Sequence, residues 1–525
     1  MHLQRGVVNI RRYFLLVLCS REEGHCLVVR ASWSLTLFLT SAVETAITTY
    51  LIRNHYLRLL HFSVRIFNLV SEMATTFYTA PVLSDAVRRA VTMFCARSRA
   101  HHIEYSGLLS SHRFHLVNVV AHALGDVDDD DDGDAASAVL VFDELARFDA
   151  FYTTKHPLEP PRRAAGKPVT AADWQQRLEV TRDSYPEYLA FFDREVAVLG
   201  VGGALRRYLP ALLPGVTGAA CHATISAGWA VDLGEAPLVA EGLAYMSVTH
   251  QTLGSHKDQS PPTAVWSSAT GTPGPVARTL QFVTTAHAGE FHKIANDASL
   301  QPEYVALKRG YFQHRIIAFD DPAVLLGAAL NAVGPLGTTA LAADLAPTVE
   351  ECVVVAVAAV LGSRADFFNL HAATSLYAVL AMIAHLDTDP AAQRDALAHW
   401  WRSAMAVLVA QDLAGHAEVA SLLKQWSEDK ERTVPDTKDK PWRAAMVTAF
   451  ADGVQDEHLA KGVYVLSRWS GERSFSAATS RMCRAAGELL VCPRDDGGSL
   501  DKNMWFSAPP VDFKGFYHGK EKDAD

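Results

Sequence analysis

From about residue 76 onward the chain is built from apolar runs with the period of an α-helix. In "WWRSAMAVLVAQDL", Trp401, Met405, Leu408 and Val409 fall on one helical face. Alanine is abundant in these runs, as helix propensity favours. Hairpin signals are poor: there is no Asn-Gly pair, and the Asp-Gly pairs are not flanked by alternating strands. "ECVVVAVAAVLG" has a strand-like composition, but its length and its neighbours make it a buried helix. The reading is an all-α fold, a single large multi-helix domain. With 49% apolar residues the chain can bury a sizeable core.

That domain is placed at residues 73–515. It is preceded by a leader, 1–72, and followed by a charged tail, 516–525. The leader contains "ASWSLTLFLTSAVETAITTYLI", long enough to raise a membrane question. It carries Glu44 and several threonines and lacks a signal-peptide layout, so an amphipathic leader is expected rather than an anchor. Pro/Gly/Ser-rich residues near 254–275 and charged residues near 427–440 read as connectors. "DVDDDDDGD" at 126–134 begins like a calcium loop, but Val139 stands where a bidentate Glu is needed, and a solvated acidic loop is expected. No internal repeat is visible.

The formal charge of −10 is spread along the chain, which excludes a nucleic-acid binder with a basic face. The seven cysteines form no C-x-x-C pair, and an odd count fits no disulfide framework. A reducing, cytoplasmic compartment follows. Nothing indicates an oligomeric state.

The chain has 22 histidines, and their helical faces separate them. In "DKPWRAAMVTAFADGVQDEHLAKGVYVL", Trp442, Met446, Phe450 and Val454 form an i+4 stripe that continues to His458, Lys461 and Val465. A histidine and a lysine thus occupy a face that should be buried, where an ammonium must find a negative group or lose its proton. A helix break at Gly453 or Gly462 would end the stripe early. In "SSHRFHLVNVVAHALG", His112, His115, Val119 and His122 share one face. Imidazoles so placed can bind iron, zinc or copper. His222 in "GAACHATISAGW" and His371 in "ADFFNLHAATSLYAVLAMI" lie on apolar faces, where a lone histidine is more often a satisfied core residue. His292 is a weaker candidate. There is no G-x-S-x-G elbow, no H-E-x-x-H motif and no G-x-G-x-x-G turn; "LGVGGAL" at 199–205 lacks that spacing and follows no strand.

The order of these motifs resembles the questin oxidase-like family of secondary-metabolism enzymes. The matching pieces are "SSHRFH", "YLAFFDREVAVLGVGGALRRYLPALLPGVTGAACHATISAGWAV", "VAEGLAYMS", "FFNLHAATSLYAVLAMI" and "DEHLAK", spanning roughly residues 76–470. The spacing from Leu209-Pro210 through Pro214-Gly215 to His222 is the most specific part, and the H-x-x-K of His458 and Lys461 supports it. The resemblance implies an all-α oxidoreductase that opens anthraquinone-type rings with O2 in a Baeyer-Villiger-like monooxygenation. It also implies NADPH as reductant, although no nucleotide-binding motif is visible, and non-haem iron in some members. It carries over His112, His222, His371 and His458 as metal ligands, with His115 as the alternative to His112, and Lys461 as a catalytic residue. The first motif departs from the family: Ser111 precedes His112 where Asn is usual, so the choice among His112, His115 and His122 stays open.

The expected chemistry is therefore Fe(II) held by imidazoles from separate helices, beside a small aromatic substrate and O2. Lys461 would be neutral, carry a carbamate, or act as acid, base or carbonyl polariser. Two other readings stay open. One is a metal-free oxygenase whose histidines deprotonate a hydroxyquinone. The other is a helical ligand-binding protein without turnover.

Overall fold

The computed structural model describes residues 7–10, 13–19, 26–32, 78, 83–105, 109–125, 131–155, 158–164, 166–178, 182–253, 275–284, 345–362, 367–386, 389–410, 416–428, 457–472 and 474–491. The chain divides into two units, Met1–Ala74 and Thr75–Asp525. In the first, β1 (Val7–Ile10), β2 (Tyr13–Cys19) and β3 (Cys26–Ser32) pair antiparallel in that order, with Val8 opposite Leu15 and Leu16 opposite Val29. These segments are rich in the apolar and β-branched residues that pleated strands favour. The apolar run that raised a membrane question lies almost wholly outside the described residues.

The second unit is all-α. Its helices are α1 (Asp85–Ser98), α2 (Arg113–Gly125), α3 (Asp131–Lys155), α4 (Tyr185–Leu212), α5 (His222–Leu233), α6 (Ala236–Val248) and α7 (Pro275–Thr284). They continue with α8 (Ala346–Gly362), α9 (Phe367–Ile383), α10 (Pro390–Ala410), α11 (His416–Glu428), α12 (Glu457–Ser470) and α13 (Ala477–Val491). Among the described residues of this unit the sole strands are two-residue bridges, β4 (Glu104–Tyr105) and β5 (Leu109–Ser110). The "ECVVVAVAAVLG" run is the buried helix α8, with Cys352 through Val360 inaccessible or nearly so. Trp401, Met405 and Leu408 are buried on α10, as their spacing predicts. The acidic run at 126–134 is not wholly a loop, because α3 already begins at Asp131.

Local chemistry sets the helix ends. Ser84 caps α1, its hydroxyl accepting from the Val87 N–H. Gly234, with φ of 72°, closes α5 by donating its N–H to the Ala230 and Val231 carbonyls.

The centre is α5, whose twelve residues are all buried. It packs against α6 on one side and α9 on another. Small residues make this close approach possible. A Cβ at Gly228 would stand 2.3 Å from the Ala378 carbonyl oxygen on α9, and one at Gly242 on α6 would stand 2.4 Å from the Ala227 Cα on α5. Around this core, α9 also contacts α8, α10 and α12, while α2 packs on α3, α5 and α12. Four helices, α2, α5, α9 and α12, therefore share one interior. Each carries histidine from the sequence motifs.

Candidate active site

His112 sits immediately before α2, so the helical face drawn through it begins one residue later, at Arg113. Its position is fixed by α3: the His112 N–H donates to the Tyr152 hydroxyl at 2.8 Å, and Arg113 pairs with Asp149. The His112 carbonyl accepts from Leu116 and starts the helix. His115, one turn on, is fully buried, with Nε2 at 3.4 Å from the Ser226 hydroxyl of α5.

His222 begins α5 after an unusual turn. Ala219, Ala220 and Cys221 all have positive φ, of 49°, 53° and 68°. Three consecutive residues with a Cβ in the left-handed region are costly, at roughly 1 kcal/mol or more each. The turn is held from outside: a Cβ at Gly218 would collide with the Thr249 carbonyl oxygen, so the chain runs directly against the end of α6. The turn aims the Ala219 carbonyl at the imidazole. His222 Nδ1 lies 2.7 Å from that oxygen, and a carbonyl can only accept, so Nδ1 carries the hydrogen. A neutral ring then presents its lone pair at Nε2.

His371, one turn into α9, places Nε2 3.2 Å from His222 Nε2 and so donates to it. His458 and Lys461 are one turn apart on α12, exposed by 7% and 0% respectively. Gly462 does not break this helix; its missing Cβ admits Leu370 and Leu490. The upstream part of the stripe, from Trp442 to Val454, lies outside the described residues, as does His292.

The rings converge. Centroids of His112 and His222 are 4.9 Å apart and nearly parallel, those of His112 and His458 4.4 Å apart and perpendicular, and those of His371 and His458 5.3 Å apart. One donor nitrogen each from His112, His222 and His458 lies within 4.8 Å of the other two. His115 stacks on His112 at 5.4 Å. Burial holds these imidazoles far below their ordinary range, and the Lys461 charge pushes the same way. His222 is brought down to about 3, and His112, His115 and His458 are also well below normal. All are neutral at physiological pH.

This donor set suits a divalent transition metal. Neutral imidazole is the required ligand form, and an Nδ1–H bonded to a backbone carbonyl is how ligating histidines are commonly oriented. Ligands about 2.1 Å from one metal stand roughly 3.0–3.4 Å apart, so the rings would have to close in from a spacing of up to 4.8 Å. Lys461 does not suit this role as an ammonium, because it has no lone pair and repels a cation.

His122 does not join this group. It faces a second polar layer two to three turns along the same helices. There, Asp232 of α5 accepts from Tyr78, from Tyr377 at 3.0 Å, from Tyr464 at 2.9 Å and from Asn118 at 2.9 Å, with His122 Nε2 at 3.9 Å. Burial, and then the Asp232 charge, raise all three tyrosines well above their ordinary range. Trp229 separates the layers, 5.6 Å from His115 and 5.4 Å from Tyr464. None of this second layer except His122 was singled out by the sequence motifs. A signal existed: Asn118, Tyr377 and Tyr464 each lie six residues after a site histidine, His112, His371 and His458.

The sequence profile of the family described as questin oxidase-like matches residues 143–466, more than half of the chain. His222, His371, His458 and Lys461 fall inside the match; His112 and His115 precede it. No curated protein is significantly similar.

Proposed function

The chain belongs to the questin oxidase-like family, an oxidoreductase of that kind, and from that premise we propose that its histidine centre oxidises or cleaves an anthraquinone- or polyketide-like aromatic with O2. The observation that carries this reading is the convergence of four imidazoles from four separate chain segments, with the His222 Nε2 lone pair turned inward. His112, His222 and His458 would hold ferrous iron, with His371 as the fourth ligand, its Nε2 giving up the hydrogen bond to His222 for the metal. Iron supplies the one-electron chemistry that dioxygen needs to react with a closed-shell aromatic. The chain's own residues do the rest. The Ala219 carbonyl keeps the hydrogen on Nδ1 of His222. Tyr152 holds the His112 backbone. Lys461 supplies the positive charge or proton that polarises a substrate carbonyl or steadies a phenolate oxygen. The buried walls keep bulk water away, which strengthens each of these interactions.

One observation favours a second reading, a metal-free oxygenase. A fully buried lysine beside the imidazoles would stabilise a bound phenolate and oppose a divalent cation. Against it, an imidazole brought down to about 3 is a weak base for a hydroxyquinone.

Oxygen uptake by the full chain tests the two together. Protein loaded anaerobically with Fe(II) is assayed on a panel of hydroxyanthraquinones, with and without NADPH. Substrate-dependent uptake that a chelator abolishes supports the iron reading. Undiminished uptake after chelation overturns it in favour of the metal-free one.

A further inference from the structure

A second group of basic side chains lies on the other side of the His222 turn, away from the histidine centre. A small open cleft is lined by Thr217, Thr252, His399, Arg402 and Ser403, with apolar residues completing it. Among the described residues, none that lines it is acidic. Arg402 and His399 come from adjacent turns of α10. Arg402 is half-buried, and among the described residues no carboxylate pairs with its guanidinium, which burial pushes below its ordinary range. His399 is brought down to about 4 by burial, then by the Arg402 and His250 charges, so three basic groups converge here. His250 is itself anchored, its Nε2 donating to the Ala211 carbonyl at 3.2 Å, and its ring fills the space that a side chain at Gly215 would need.

Partly desolvated arginine normally faces a carboxylate or phosphate, because its planar fork of donors matches two oxygens at once. Among the described residues the protein supplies the fork and the surrounding hydroxyls without the acid. We propose that this cleft binds an oxyanion group, carboxylate or phosphate, of a small molecule, with Arg402 as the bidentate donor and Ser403 and Thr252 as hydroxyl donors. An anion would also supply the negative charge that lets His399 hold a proton and donate in turn. The head group enters the cleft and the remainder of the molecule stays at the open side.

The cleft is tied to the histidine centre by covalent geometry. Ser403 Oγ lies 3.4 Å from Cys221 Sγ, and Cys221 is the last residue of the left-handed turn that positions His222. Thr217, at the start of the same turn, donates to the Gln251 carbonyl at 2.9 Å. An anion clamped by Arg402 and Ser403 would therefore brace the turn from behind.

The test uses the full chain without added metal, so its outcome is independent of iron or turnover. Inorganic phosphate and salicylate are titrated by calorimetry at fixed ionic strength, with chloride as control. Saturable binding of either probe is expected, weakened at least about tenfold in Arg402→Gln. Arg402→Lys should retain part of it, and Arg206→Gln, a surface control, all of it. Binding of phosphate alone marks a phosphate site, binding of salicylate alone a carboxylate site, and both support the proposal. Absence of saturable binding, or binding unchanged in a folded Arg402→Gln protein, overturns it.

Discussion

Gly228→Ala should damage both the fold and the histidine centre, and the size of the effect can be worked out. The added Cβ would stand 2.3 Å from the Ala378 carbonyl oxygen and 2.4 Å from its Cα, whereas ordinary contact begins near 3.4 Å. The obstacle is backbone, which cannot rotate away, so α5 and α9 must separate by about 1 Å. Overpacking of this kind costs about 3 kcal/mol. At about 2.1 cal/mol/K per residue, a unit this long has an unfolding entropy near 1 kcal/mol/K, so the midpoint should fall by about 3 °C. Gly228 lies six residues after His222, and Ala378 seven after His371. The same separation therefore widens the 3.2 Å contact between those rings. Divalent-metal affinity should fall about tenfold or more, the size seen when ligand orientation is disturbed. Gly471→Ala is the control, since a Cβ there meets nothing closer than 3.8 Å. Thermal melts followed by circular dichroism, with metal titration of each variant, decide the matter. If Gly228→Ala melts and binds like Gly471→Ala, the close-packing argument is wrong.

Three further outcomes are expected. Ala220→Gly should raise the melting midpoint, gaining up to about 1 kcal/mol, because glycine accepts the φ of 53° that alanine resists; a lower midpoint would show that the turn is not strained. Asp232→Asn leaves the tyrosine donors of the second layer incompletely matched and should cost about 3 kcal/mol, against about 2 for Tyr464→Phe; urea unfolding monitored by tryptophan fluorescence measures both. Burial pushes Glu241 up to about 7. Between the ordinary carboxylate range near 4.5 and that value, the folded protein holds a proton the unfolded chain has released. Stability from this group is therefore present at pH 4.5 and lost as pH rises toward 7 and beyond. Glu241→Gln should remove that slope, and midpoints from pH 5 to 8 would reveal it; an unchanged slope would mean that Glu241 is not the group responsible.

Much of this was legible in the sequence because helices advertise their buried faces. His458, Lys461 and Val465 are buried together as the stripe required, and the segment from Leu209-Pro210 to His222 lies inside the family match. What the sequence could not supply was depth along the helix axis. His112, His115 and His122 share a face by periodicity, yet His112 and His115 meet the histidine centre while His122 meets Asp232. Periodicity gives direction around an axis, and only the crossing of α2 with α5, α9 and α12 gives level. The left-handed turn at 219–221 was equally invisible, since neither alanine nor cysteine signals positive φ and the contacts that impose it come from α6. Asp232 escaped notice because its partners, Tyr78, Tyr377 and Tyr464, are distant in sequence and tyrosine on an apolar face reads as core.

The claim on which the functional account rests is that His112, His222 and His458 hold a divalent metal. Anaerobic titration of the full chain with Fe(II), followed by elemental analysis after gel filtration, addresses it directly. The account predicts one iron per chain, lost in His222→Ala and in His458→Ala but kept in His122→Ala, since His122 belongs to the Asp232 layer. Retention below about a tenth of an equivalent in the unaltered protein, or equal retention in all four proteins, would contradict it.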